Sequence, residues 1–259
     1  MTVSEIMVVG AGFMGAGIAQ VGSQAGYSIK LYDISQEAID KGIASINKIL
    51  SKNVEKGKLA QADKDAILAR ITPSLSLEDA KNSDLVIEAV LENADLKKSI
   101  FQQLDAICKP ECILATNTSS IPITQLAAAV KRADKFIGMH FFSPVPVMKL
   151  CEIIRGIKTS DETVAITTEV AQNMKKETVI AKDVPGFIVN RINNALRAEA
   201  FKCLSEGVAS LEDIDKALKF GLITLWDPLN YLILLDWTLH LVWFPRCMLD
   251  IKIRSGPPT

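Results

Sequence analysis

The sequence predicts an α/β fold: a doubly wound parallel sheet over residues 1–183, followed by a smaller all-helical C-terminal domain over residues 184–259. Three observations predict it. Short apolar runs alternate with stretches of helical spacing through the first half, a glycine-rich turn joins the first run to the first helical stretch, and beyond residue 183 helical spacing continues without strand-like runs.

The first run, IMVVGAG at residues 6–12, is apolar and ends in glycines, as a strand buried on both faces of a parallel sheet does. FMGAGIAQVGSQAG, residues 13–26, has helical spacing and stops at Gly26, a natural C-cap residue. SIKLYD is the second strand. DLVIEAV (84–90), CILATNT (112–118) and KFIGMHFF (135–142) are further strands, and NADLKKSIFQQLDAI is a helix between two of them. Strands separated by helices imply crossover connections and parallel neighbours. From Asp183 the chain reads as helix, turn, helix: Pro185 and Gly186 mark the start, and Ile188, Ile192, Ala195 and Leu196 recur at helical spacing.

Gly10, Gly12 and Gly15 form G-x-G-x-x-G where the first strand meets the first helix. Each glycine has its own physical role. Gly10 makes the tight turn, Gly12 lets the backbone approach a pyrophosphate, and Gly15 permits close helix-strand packing. The helix N-terminus then faces the phosphate charge. Asp33, at the end of the second strand, accepts hydrogen bonds from ribose hydroxyls and repels a 2'-phosphate, which favours NAD over NADP. This is a Rossmann-like arrangement, in which ligands sit beyond the carboxyl ends of the strands. The predicted strands end at Glu88 to Asn93, Asn117 to Ser120, and His140 to Ser143.

Composition excludes other classes. A net charge of -1 gives no basic surface to track nucleic acid. Five scattered cysteines without a CxxC pair argue against a disulfide scaffold and a structural zinc site, so no metal is expected and a reducing cytoplasm fits. The start, MTVSEIMVVGAG, lacks the features of a signal or transit peptide.

One of only two histidines, His140, lies in the apolar stretch GMHFFSPVPVMKLCEII with Glu152 twelve residues further on. By itself such a histidine is more often a hydrogen-bonded core residue. Its position at the sheet edge where ligands bind makes it a candidate for proton transfer, because histidine titrates near neutral pH.

VVGAGFMGAGIAQ, VIEAVLEN, LATNTSSIPITQLA, GMHFFSPVPVMKLCEII and KDVPGFIVNRI run in order through residues 6 to about 222. Together they resemble the L-3-hydroxyacyl-CoA dehydrogenase family, most of all its stand-alone bacterial 3-hydroxybutyryl-CoA members. The resemblance implies oxidation of a secondary alcohol on a CoA thioester with NAD as hydride acceptor. It implies His140 as the base, oriented by Glu152, and Ser119 and Asn190 as polar partners of the substrate oxygen. Read alone, Ser119 is a turn-capping serine and Asn190 a helix-capping asparagine. Phe13 and Met14, inside the glycine turn, join the cofactor residues, as do Glu92, Lys97 and Asn117 on the nicotinamide side. Lys52 and Lys56, in SKNVEKGK, occupy positions that present charge to the CoA phosphates in the family; a charge run of this kind is otherwise a solvated helix face. Many relatives have HFFNP where this chain has HFFSP, with Ser143. The family's helical domain covers the acyl group and forms a homodimer.

From Ile223 the chain departs from the family's N-x-P-M-G-P-x-E-L motif, and all three tryptophans, Trp226, Trp237 and Trp243, lie in the departing stretch. Residues 229–244 are apolar but short of the roughly 20 residues a membrane span needs, and Asp236 and His240 interrupt them. No membrane association is therefore expected. A shifted reading frame explains the departure: codons compatible with residues from Ile223 onward, read from one base earlier, give N-Y-P-M-G-P-F-E-L. Two rival functions remain, a sugar-acid dehydrogenase of the same superfamily and a non-catalytic, crystallin-like nicotinamide-binding protein. The joint presence of His140, Glu152, Ser119 and Asn190 weighs against the second, since dinucleotide binding needs none of them.

Overall fold

Residues 6–9 and 85–87 are apolar and wholly buried because helices cover both faces of the sheet they enter. In the computed structural model, which describes residues 2–222, eight strands form one sheet in the order β3-β2-β1-β4-β5-β6-β7-β8. Their ranges are Glu5–Val9 (β1), Ser28–Tyr32 (β2), Ile71–Ser74 (β3), Leu85–Glu88 (β4), Ile113–Thr116 (β5), Phe136–Phe141 (β6), Leu150–Arg155 (β7) and Glu177–Lys182 (β8). The helices are Phe13–Gln24 (α1), Gln36–Glu55 (α2), Gln61–Ala69 (α3), Ala94–Ile107 (α4), Ile123–Ala127 (α5), Asp161–Asn173 (α6), Val189–Ser205 (α7) and Leu211–Gly221 (α8). The Trp-containing segment, with its apolar run and its proposed change of frame, lies outside the described residues.

Strands β1 to β6 are mutually parallel, so the mostly parallel, doubly wound sheet is as the sequence predicts. The far edge adds something the alternation did not show. β7 pairs antiparallel with β6, and β8 runs parallel to β7. The order reverses between β1 and β4, whose flanking loops form the switch point where ligands of such sheets bind.

Local chemistry sets the helix starts. Ser35, Asn93 and Ser160 cap α2, α4 and α6 by accepting from backbone N–H groups two or three residues on. Beneath α4, Phe101 meets Phe136 of β6 edge to face at 4.6 Å, and both rings are fully buried.

At the amino edge of the sheet, away from the strand ends that form the site, Asp84 holds the entry to β1. Its carboxylate accepts from the Ser4 N–H at 2.7 Å, the Ser4 hydroxyl at 2.9 Å and the Glu5 N–H at 3.0 Å, and pairs with Lys109. Burial by itself would raise the Asp84 pKa, but Lys109 and the donors of Glu5 and Ser4 outweigh it and hold the carboxyl at about 2, against an ordinary 3.8. A depressed folded-state value contributes stability above the unfolded pKa that is lost as pH falls through the folded one. Asp84→Asn is therefore expected to be less stable than the parent at neutral pH, with the gap closing as pH drops from 3.8 towards about 2. Urea unfolding at stepped pH checks this, and a pH-independent gap would reject the charge-based account.

The chain divides into two compact units, residues 1–184 and 185 onward. In the second, α7 and α8 form a helical hairpin turned at Gly207, whose φ is +67°, with Ala200 and Ile214 packed among Phe201, Leu204, Leu211 and Leu218. Ser210 caps α8 by accepting from the Asp213 N–H. Among the described residues no helix is long and apolar enough to cross a membrane.

Candidate active site

The glycine turn has the geometry its spacing implies. Gly10 has φ +106° and lies so close to the loop after β4 that an added Cβ would stand 2.7 Å from the Ala89 carbonyl oxygen. At Gly15 an added Cβ would fall 1.7 Å from the Gly10 carbonyl oxygen, so α1 packs directly on the turn. Gly12 is the opposite case: nothing lies within 4 Å of its would-be Cβ, and it precedes the first turn of α1. The cradle is thus tight on its inner side and open at the helix N-terminus, where an anionic diphosphate fits. Phe13 is 68% exposed beside it, and Met14 is half-buried.

Asp33 follows β2. Its carboxylate accepts from the Ala11 N–H at 2.9 Å and the Ser35 N–H at 3.2 Å, which fixes it against the glycine turn. These residues fit NAD: a glycine cradle for the diphosphate and a held carboxylate at the end of the neighbouring strand.

The antiparallel register of β6 and β7 places His140 directly opposite Glu152. Directly opposite residues in such a pair share one face, so the two side chains meet. His140 Nδ1 lies 2.7 Å from Glu152 Oε2; the histidine is 6% exposed and the glutamate fully buried. The Phe142 ring packs on the imidazole at 4.6 Å. The loop between the strands is pinned by Lys176, whose ammonium donates to the carbonyls of Val145 and, at 2.8 Å, Met148. Desolvation by burial lowers the Lys176 pKa. Val145 in turn packs on Gly17 of α1 so closely that an added Cβ there would lie 2.9 Å from the valine's own. The histidine hairpin and the helix of the glycine turn are thereby fixed to each other.

Asn117 leaves β5 and uses its amide oxygen to accept the Phe141 N–H at 2.9 Å, one residue beyond His140. Ser119 sits in the next turn, which Glu92 gathers: one carboxylate oxygen accepts from the hydroxyls of Thr118 (2.6 Å) and Ser120 (2.9 Å) and from the N–H of Ser119 (2.9 Å). Burial raises the Glu92 pKa, yet Lys97 and these donors prevail and leave it below the usual carboxylate range. Lys97 is 1% exposed, a buried ammonium on α4 and no solvated helix charge. Its ion-pair partner Glu88, and Thr116, whose hydroxyl donates to the other oxygen of Glu88, were not among the candidate site residues of the sequence. The available signal was a glutamate directly after the apolar run LVI, residues 85–87, with a lysine nine residues later.

Lys52 and Lys56 are exposed at the C-terminal end of α2, with no ion pair among the described residues. Asn190 belongs to the second unit, where it is the second residue of α7. Ser143 is exposed after β6.

A sheet of this order, with a glycine cradle at its switch point, defines the class as a dinucleotide-binding α/β protein. Comparison with known proteins makes the assignment particular. The model for the 3-hydroxyacyl-CoA dehydrogenase NAD binding domain matches residues 5–184, and that for the C-terminal domain of the same enzymes matches residues 186–239. The chain is 49% identical over 223 residues to a "Probable 3-hydroxybutyryl-CoA dehydrogenase" of Deinococcus radiodurans, spanning 86% of this chain and 80% of that protein. It is 45% identical over 217 residues to a 3-hydroxybutyryl-CoA dehydrogenase of Clostridioides difficile, spanning 84% and 77%. The crystal structure of (S)-3-hydroxybutyryl-CoA dehydrogenase from Ralstonia eutropha superimposes with a TM-score of 0.85 at 47% identity, covering 88% of this chain and 80% of that one. The chain belongs to the 3-hydroxyacyl-CoA dehydrogenase family and is an NAD-dependent oxidoreductase.

Proposed function

We propose that the protein interconverts (S)-3-hydroxybutyryl-CoA and acetoacetyl-CoA, using His140 as the proton-transfer residue. The observation that carries this reading is the 2.7 Å contact between His140 Nδ1 and the buried Glu152 carboxylate. A carboxylate on Nδ1 sets the tautomer, turns the ring and stabilises the imidazolium, so that Nε2 exchanges the proton with the substrate hydroxyl. In the oxidative direction His140 takes that proton, and Ser119 donates to the 3-oxygen as it gains alkoxide character. NAD, when bound, supplies the acceptor for the hydride leaving C3. Gly10, Gly12, Phe13, Met14, Gly15 and Asp33 would hold its adenosine and diphosphate portion, while Glu92, Lys97 and Asn117 would set the nicotinamide end.

Lys52 and Lys56, exposed on α2, would meet the CoA phosphates. The four-carbon preference rests on the names of the relatives. The same reading implies a cytoplasmic homodimer. The test is NADH oxidation by the purified chain with acetoacetyl-CoA, beside acetoacetate and a free keto sugar acid. Turnover dependent on the CoA ester is expected; turnover of the free sugar acid in its place would overturn the reading.

A further inference from the structure

Glu88 closes β4 with a fully buried carboxylate that holds three donors: the Lys97 ammonium at 2.6 Å, the Val90 N–H at 2.7 Å and the Thr116 hydroxyl at 2.7 Å. Lys97, almost as buried, directs its ammonium to Glu88, to the Val90 carbonyl at 3.4 Å and to the other oxygen of Glu92 at 3.3 Å. A buried ammonium requires a counter-charge, and one carboxylate would suffice. Here a second one continues outward, and Glu92 spends its remaining oxygen on the Ser119 turn.

The contacts close into a ring. The Thr116 hydroxyl, donating to Glu88, also accepts the Thr118 N–H at 3.3 Å, and the Thr118 hydroxyl donates to Glu92 at 2.6 Å. Glu88 therefore grips the turn from both sides, through Thr116 directly and through Lys97 and Glu92. No hydrogen bond joins it to Ser119 or to the glycine cradle among those described.

We propose that Glu88 is a positioning residue for the dehydrogenase reaction: by fixing Lys97 and Thr116 it sets Glu92, and through Glu92 the placement of Ser119. This rests on the reading of Ser119 given under the proposed function. Glu88→Gln preserves shape but removes the charge and turns an amide N–H towards one of the donors.

The test is a double-mutant cycle of Glu88→Gln and Lys97→Met, read by acetoacetyl-CoA kinetics and by hydrogen exchange of the Ser119 and Ser120 amides, both of which Glu92 accepts. Glu88→Gln is expected to lower kcat by about tenfold to a hundredfold with a much smaller change in KM, since Ser119 acts on the developing charge. The two amides should exchange about tenfold faster while those of β1 and β4 stay protected. The double variant should be little worse than the poorer single one.

Independent, multiplying effects, or an unchanged kcat with unchanged exchange at both amides, would overturn the proposal. If Glu88→Gln does not fold, Thr116→Val loosens one grip without altering charge and should still speed exchange at the turn; unaltered protection there also counts against it. A parent enzyme inactive on acetoacetyl-CoA whose turn amides still loosen in the variant would reject the assigned reaction and leave the positional link standing.

Discussion

Replacing Glu152 with glutamine or His140 with asparagine is expected to reduce turnover by about a thousandfold to ten-thousandfold, the range lost when an oriented histidine base is disabled. The choice of substitutions matters because the pair is buried. His140→Ala would remove the imidazole from beside a fully buried carboxylate and open a cavity there, and the resulting instability would obscure any kinetic effect. Asparagine keeps a donor facing Glu152 yet cannot take a proton, while Glu152→Gln keeps the volume but no longer fixes the tautomer or balances the imidazolium. Both proteins should melt near the parent temperature and still bind NADH, read by its fluorescence. Near-normal kcat in Glu152→Gln would remove the orienting role, and near-normal kcat in His140→Asn would remove the base.

Gly15→Ala should produce the largest structural loss. Its Cβ would sit 1.7 Å from the Gly10 carbonyl oxygen, and the clash is backbone against side chain, with no flexible group to move aside. Gly10 cannot readily yield: its N–H is bound to the Tyr32 carbonyl at 2.8 Å, and its φ of +106° is available only to glycine at small cost. Separating α1 from the turn should cost about 3 kcal/mol or more and abolish NADH binding. Gly12→Ala is the informative contrast. Nothing surrounds its added methyl, and its φ of -66° suits any residue, so unfolding should be nearly unchanged while NADH affinity falls. Denaturant unfolding and fluorescence titration of the two variants separate packing from ligand approach. If Gly12→Ala bound NADH normally, the cradle would have been placed wrongly.

The legibility of the fold followed the strength of its local signals. β1, the glycine turn, α1 and Asp33 were readable because each rests on short-range chemistry: an apolar run, glycines at fixed spacing, and Gly26 just past the helix end, where α1 stops at Gln24 with Ala25 as its C-cap and Gly26 takes φ +96°. β3 is a four-residue strand containing Pro73, which period and propensity demote; the fold accepts it because it lies at the sheet edge. β8 is likewise an edge strand with most of its residues exposed or half-buried, and its apolar run, residues 179–181, is shorter than a buried strand's.

The site divides along the same line. His140 and Glu152 were identifiable as residues, but their meeting depends on residues 150–155 forming a strand and on its register with β6; the connection from Phe141 to Leu150 is too short for a crossover, so it forces the antiparallel direction but leaves the register open. From its own surroundings in the sequence Lys97 was legible as a charge on a helix, and only the family resemblance placed it near the nicotinamide. Its burial, and its place in a ring with Glu88, Thr116, Thr118 and Glu92, arise from packing α4 over strands that are neighbours in space and distant in the chain. The order of elements, the glycine cradle and the chemical types present at the strand ends were readable from the residues alone, since they depend on short-range sterics and periodicity. Strand register at the far edge and the pairing of buried charges emerged with the packed fold, because both minimise the cost of burying polar groups and can be settled only when every neighbour is in place.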